Sequence, residues 1–598
     1  MNIRSKWFLL PMSFMTAGLV FAAACGGDDD EDKTPTGGTT PGATSAATEP
    51  SGGDDRAPAD QQKITIQLGE PQFLDPHRSS FEQDIGVERM LFRGLYNLTD
   101  DGAGGVNVEP MMAEGEPQVR AITSTGSRLA APSAQEPAVY TVTLKSGLMW
   151  SDGEPLTAQH FVDGAKRGCD PTVAADYGYL WGPGYLDMVG CADLQANEDE
   201  SQKQTLMDAL GVRAVDDTTI EYTLSQPNDR FTMIMALWVT FPARLDVIEA
   251  NGDAWTQPGN IVSNGPYMLS AYTAGESLVL VPNPNWTAGE TPALQEITIR
   301  FIDDLSQAFR AYQSGELQIT RINASDIAVA SADSDLADEV LINPSGRITT
   351  LQVQMENEVL SDPNVRLALS RAIDRDELNE VVFDGTNTPA AYWVVKGLAG
   401  YQGNEAFDSI IGFDEVAAKA ALAEAGYADG AGFPELSIVV HTPDFIRTAE
   451  YLQEQFKSIL GIDITIDQVD SPTRSARFRE ETFELFIGGW QIDYPDIENV
   501  LFGLFETDGG NNHYNCSNTD VDAALQAALS ATDDDARVAA YEDMETAVVT
   551  NLCGVIPMWQ DSLPFMVSSR LGGVVANGTI DAGHPGNYCA ECWYVKAE

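Results

Sequence analysis

Seven cysteines and five histidines are the side chains of this 598-residue chain with the widest reach into nucleophilic, redox and metal chemistry. His77, His160, His441, His513 and His584 stand alone, without the short spacings that bring two imidazoles to one metal ion. They read as surface or structural residues. The chain contains no G-x-S-x-G elbow, H-E-x-x-H helix, phosphate-binding G-x-x-x-x-G-K or dinucleotide-binding G-x-G-x-x-G. With 90 acidic residues many pairs arise by chance, so no carboxylate dyad of the glycosidase kind can be singled out. The expectation is a protein that is not an enzyme and uses no metal or cofactor. Apart from Cys25, the cysteines are Cys169, Cys191, Cys516, Cys553, Cys589 and Cys592. An even set in an exported chain favours disulfides, and although six cysteines allow fifteen connectivities, neighbours in sequence pair as Cys169 with Cys191, Cys516 with Cys553 and Cys589 with Cys592. Cys589-Ala-Glu-Cys592 has the spacing of a redox or metal pair, but a second such pair and a thioredoxin-like context are missing.

The balance of 34 basic against 90 acidic residues gives a net charge of -56, which repels phosphate backbones and excludes nucleic acid as a partner. The chain is too long for one hydrophobic core and implies two or three domains. Residues 1–24 read as a signal peptide: Arg4 and Lys6 precede an apolar run, Trp7 to Phe21, that is shorter than a membrane span. Ala22-Ala23-Ala24-Cys25-Gly26 resembles a bacterial lipobox, with Ala22 where such boxes usually carry Leu. Cys25 would then be lipidated and become the mature N-terminus, holding the protein outside the cytoplasm on the cell membrane. Residues 25–60 are acidic, then rich in Thr, Pro, Gly, Ser and Ala, and predict a disordered tether.

The elements that must position any site begin with the alternating run Lys63 to Leu68, a strand. Val139 to Lys145 alternates likewise, and Thr157 caps a helix carrying Phe161, Val162 and Ala165. Asp414 and Gly426 bracket a helix whose buried side is expected to be Ala417, Ala420, Ala421 and Ala425. Strand Leu436 to His441, helix Thr448 to Leu460 and strand Ile462 to Val469 complete an αβαβ rhythm, the mark of an α/β lobe.

Several blocks carry a resemblance. Leu74-Asp75-Pro76-His77, Tyr140 to Arg167, Val215 to Glu221, Trp255 to Tyr267, Asp362 to Arg366, Ala372 to Arg375 and Gly489 to Asp496 are similar to the extracytoplasmic solute-binding proteins of family 5, which serve ABC importers, and look most like the oligopeptide-binding members. The resemblance implies an α/β, two-lobed periplasmic-binding-protein-like clamp of class II type with an extra subdomain in the first lobe. Lobe I would comprise 61–106, 243–325 and 556–598, with the subdomain at 107–242 and lobe II at 326–555. Such a clamp would close over a short peptide and deliver it to membrane permease subunits, acting as a monomer. By the same resemblance Asp493 would bind the peptide ammonium. Trp490 would either cover the peptide or fill the interlobe core, Gly489 would let backbone approach the ligand or make a tight turn, and Tyr177 or Tyr179 would face the ligand or pack on the Cys169–Cys191 loop. Where peptide-binding relatives carry a basic residue and an aromatic, this chain has Ile487 and Ser471. Arg474, Arg477 and Arg479 are the nearby cations, on a helix expected to be polar and solvated, with Glu480 and Glu481 as their partners. The competing readings are a same-fold receptor for a dipeptide, nickel chelate, oligosaccharide or opine-like compound, a secreted hydrolase, and an adhesive lipoprotein with a degenerate cleft.

Overall fold

In the strand Lys63–Leu68, Ile64, Ile66 and Leu68 are buried, and the strand pairs in parallel with Glu296–Phe301. This is a computed structural model describing residues 55–597 except 124–125, 130–136 and 532. The signal peptide, Cys25 and nearly all of the tether lie outside the described residues. A mixed eleven-stranded sheet forms the backbone of the molecule. On one side lie Ile464–Gln468, Leu436–Val440 and Leu485–Gln491; on the other lie Ile319–Arg321, Lys63–Leu68, Glu296–Phe301, Ser277–Pro282 and Tyr267–Thr273. Two long antiparallel strands, Val340–Val353 and Val555–Val567, belong to both sides.

These two strands are where the clamp hinges. Their pairing shifts register between Pro344, opposite Ser562, and Ile348, opposite Gln560. The residues at the shift are polar and buried: Ser345, Gln560, Asp561 and Ser562. The two large apolar clusters part at the same place, with Ile348 and Trp559 in one and Phe565 in the other, while a small third cluster lies around Phe309 and Met566. Two hydrophobic bodies joined by two polar, register-broken strands can rotate about the crossing without tearing either core.

The first body carries the extra subdomain, an antiparallel sheet in the order Gly126–Leu129, Gln118–Thr123, Ala138–Thr143, Thr219–Leu224 and Val212–Ala214. Helix Ala158–Cys169 packs on it through Phe161, Val162 and Ala165, and at its start the Thr157 amide donates to His160 Nδ1 at 3.0 Å. Two helices differ from their expected form. Helix Glu415–Glu424 is capped by the Asp414 carboxylate, but it buries Ala418, Ala421 and Leu422, leaving Ala420 exposed, because Leu422 sets the packed face. The helix expected from Thr448 begins at Pro443, where Thr442 Oγ1 caps the Phe445 amide and proline fills a first-turn position that needs no N–H. It runs through a π-turn, Phe456–Leu460, to Gly461 at φ 72°.

Candidate functional site

Strand Leu485–Gln491 runs towards the hinge, and the Ile492 amide extends its pairing by donating to the Gly346 carbonyl at 2.9 Å. The chain then turns through Asp493-Tyr494-Pro495 to Asp496, whose carboxylate caps helix Ile497–Leu501 through the Glu498 amide at 2.9 Å. That short helix returns Asn499 to the turn. Asn499 Oδ1 accepts from the Asp493 amide (2.8 Å) and from Trp490 Nε1 (3.2 Å), and its Nδ2 donates to Asp493 Oδ2 at 3.1 Å. From the other body the Tyr179 hydroxyl donates to the same Oδ2 at 2.9 Å.

Asp493 faces a cleft between the bodies, about 940 Å³ with its open mouth included, lined by Tyr177 and Trp238 from the first body, Gln491 from the second, and Arg347 and Asp561 from the hinge strands. Burial pushes the Asp493 carboxyl above its ordinary range, against the opposing pull of hydrogen bonds from Asn499, Tyr179 and Tyr177. Burial, and then the Asp493 charge, push the Tyr177 and Tyr179 hydroxyls up as well, so both stay protonated donors. Among the described residues no Lys, Arg or His forms an ion pair with Asp493. A half-buried carboxylate with neutral donors and no cation is poorly compensated, and a bound ammonium would supply what is missing.

The expected ligand contacts and the six paired cysteines all lie within the described residues. Asp493 and Tyr177 line the cleft, and Tyr179 reaches Asp493. Trp490 packs against the second body's core, since alternation along the strand sends it away from the face of Gln491. Gly489 pairs with Thr349, and a Cβ there would run into the Ile348 carbonyl, so close strand packing accounts for the glycine. The structure contains the disulfides Cys169–Cys191, Cys516–Cys553 and Cys589–Cys592, and Tyr177, Tyr179 and Tyr185 lie within the loop closed by the first. Arg474 is not solvated: it is buried, its Nη2 donates to the Ile487 carbonyl at 2.8 Å, and its guanidinium lies 4.2 Å from the centre of the Phe486 ring. Burial, with a contribution from the Arg347 charge, lowers its pKa to about 9. Arg477 pairs with Asp467, not with Glu480 or Glu481. Three histidines serve structure: His160 at a helix start, and His77 and His584 buried against the carbonyls of Phe241 and Gln67. No group of three or more His, Cys, Asp or Glu among the described residues is arranged to hold a metal ion.

Sequence reasoning missed Arg347, Asn499 and the charges that bridge the bodies beside the cleft. Arg230 of the first body pairs with Glu498 of the second, and Arg537 of the second reaches Asp229 of the first at 3.3 Å. Nothing local marks the arginines, because their partners lie hundreds of positions away, and Asn499 gains its role only when the short helix folds it back onto Asp493.

Two bodies hinged on a broken strand pair, with a charged cleft between them, define a solute-binding clamp. The chain belongs to the bacterial extracellular solute-binding proteins of family 5, whose profile matches residues 107–512. It is 29% identical to the "Probable deoxycholate-binding periplasmic protein YgiS" of Escherichia coli, over 84% of this chain and 89% of that protein. It is 26% identical to the Escherichia coli periplasmic oligopeptide-binding protein OppA, over 88% of this chain and 91% of that one. The solved structure of the Escherichia coli murein tripeptide-binding protein MppA superposes with a TM-score of 0.68 at 24% identity, covering 90% of this chain and 99% of that one.

Proposed function

We propose that the protein is the extracytoplasmic substrate-binding component of an ABC importer, catching short peptides in the cleft and releasing them to permease subunits without reacting with them. The observation that carries this reading is Asp493: a half-buried carboxylate in the cleft, braced by Tyr179 and Asn499 and, among the described residues, without a cationic partner. A peptide ammonium satisfies it, and closure of the two bodies removes the pair from water, where a charge-assisted hydrogen bond is strongest. In this reading lobe I is 61–106, 243–325 and 556–598 with the subdomain 107–242, lobe II is 326–555, Cys25 carries the lipid that holds the protein at the membrane, and the protein works as a monomer. Name and fold of the peptide-binding relatives support it.

A second reading takes a steroid acid as the solute. It is favoured by the apolar share of the cleft wall, with Ile85, Leu98, Trp238, Leu563 and Ile580, and by the similarity to a probable deoxycholate-binding protein. Thermal denaturation of the purified mature domain separates the two, since a ligand that binds only the folded state raises the melting temperature. A mixed peptide pool should stabilise the protein and deoxycholate should not. Stabilisation by deoxycholate alone rejects the peptide reading, and cleavage of the pool would reject a non-enzymatic role.

A further inference from the structure

We infer that Cys589–Cys592 is a thiol–disulfide exchange site, a surface bridge that a dithiol opens and an oxidant recloses while the protein stays folded. The inference is independent of what the cleft binds.

The three bridges differ in access and in what they hold. Cys169, Cys191, Cys516 and Cys553 are each no more than 1% exposed, whereas Cys589 and Cys592 are only half-buried. An attacking thiolate must reach a sulfur, and in the folded protein only the third bridge meets that condition. The first two bridges join cysteines 22 and 37 residues apart, and the third joins cysteines 3 apart. A bridge restricts the unfolded chain more the longer the span it closes, so the third contributes least to stability.

The surroundings hold this turn without its sulfurs. The pair lies in the short helical turn Asn587–Cys592. Between the cysteines, Glu591 pairs with Arg93 at 2.6 Å, and both side chains are buried. The Tyr588 carbonyl accepts from Arg93 Nη2 at 3.2 Å and from Asn97 Nδ2 at 3.1 Å, and the Ala590 carbonyl accepts from the Tyr267 hydroxyl at 3.3 Å. Asn587 ties the entrance to the Ala582 backbone through both of its side-chain polar atoms. Trp593, fully buried, pins the exit by donating from Nε1 to the Gly586 carbonyl at 3.2 Å. After reduction the two thiols therefore stay in place, with Cα atoms 5.3 Å apart, inside the range that a disulfide spans. Thiols held at so high an effective concentration rejoin each other before they join a second molecule.

One dithiol balances the exchange. Its thiolate attacks one bridge sulfur, forming a mixed disulfide and expelling the other cysteine, which takes up a proton. Its second thiol, once deprotonated, attacks the mixed bond, closing the reagent's own disulfide and expelling the remaining cysteine. Two electrons and two protons pass to the protein. The net charge of -56 repels anionic thiols, so an uncharged dithiol is the favoured reductant.

The test is to treat the folded mature protein with increasing dithiothreitol, trap thiols with iodoacetamide, locate them by peptide mass spectrometry and follow the melting temperature in parallel. Cys589 and Cys592 should be alkylated together at about tenfold less dithiothreitol than the other four bridged cysteines need, with the melting temperature unchanged. Oxidised dithiothreitol should then restore the bridge within the monomer. Opening of all three bridges together, or resistance of this one until the protein melts, overturns the inference. A reduced pair that fails to reclose, or that links two chains, also overturns it. Cys589→Ser combined with Cys592→Ser should melt as the wild type does, and a double variant that fails to fold would show that the turn needs its sulfurs, against the inference.

Discussion

Replacing Asp493 by Asn removes one negative charge and little else. The amide oxygen of asparagine can still accept from Tyr179, now 2.9 Å from Oδ2, and from Asn499 at 3.1 Å. The loss is therefore electrostatic. Removing one member of a buried, hydrogen-bonded charge pair costs about 2–4 kcal/mol, so affinity for a peptide with a free amino terminus should fall roughly 30- to 1,000-fold. The ligand-free protein should respond in the opposite sense. Burial holds the carboxyl above its unfolded range, so at neutral pH its ionised form is a cost to the native state that asparagine does not bear. The variant should melt at the same temperature as wild type or higher without ligand, and lose most of the peptide-induced shift. N-acetylated peptides, lacking the ammonium, should bind both proteins alike. Calorimetry with free and acetylated trialanine measures the affinities and scanning calorimetry the melting. A variant that binds the free peptide as wild type does, or loses the free and acetylated forms equally, refutes the reasoning.

Burial pushes the carboxyls of both Glu545 and Asp84 up from their ordinary range to about 7. Raised acids bind more protons in the native than in the unfolded state, so the contribution of these two groups is greatest at acid pH and falls as pH rises from about 4 through 7, outweighing the opposite contribution of His441 and His584, whose pKa values are lowered. The melting temperature of the ligand-free protein should accordingly be higher at pH 5 than at pH 8, and Glu545→Gln should flatten the profile; a flat wild-type profile contradicts this. Glu498→Gln leaves Arg230 without its partner across the cleft, and small-angle scattering should show a larger radius of gyration; an unchanged radius would mean that the pair does not favour closure. The Cys516–Cys553 bond closes a span of 37 residues, worth about 4 kcal/mol in chain entropy. Replacing both cysteines by alanine should weaken hydrogen-exchange protection in residues 516–553 more than in the first body; uniform or absent loss would contradict a local constraint.

What could be read from the sequence was local or carried by motif. The alternation of Ile64, Ile66 and Leu68, the Asp414 cap and the stop at Gly461 are written in neighbouring residues, and the family resemblance picked out Asp493, which sits at the turn between a strand and its capped helix. Trp490 belongs to the same motif but faces the core, because side-chain direction follows strand phase, and the phase became known only with the register of Arg347 against Gln491. That register is also why Arg347 passed unnoticed, as one arginine among several. Arg474 looked like part of a solvated helix, yet Phe445 and Phe486 cover it and the Ile487 carbonyl holds it. Tyr179 and Asp493 meet across 314 positions of chain, a contact that no periodicity encodes.

The most direct test is a crystal structure of the mature domain with trialanine bound. The α-amino nitrogen should lie about 3 Å from the Asp493 carboxylate, inside a cleft closed from both bodies. A guest whose amino end points away from Asp493, or one bound outside the cleft, would contradict the account.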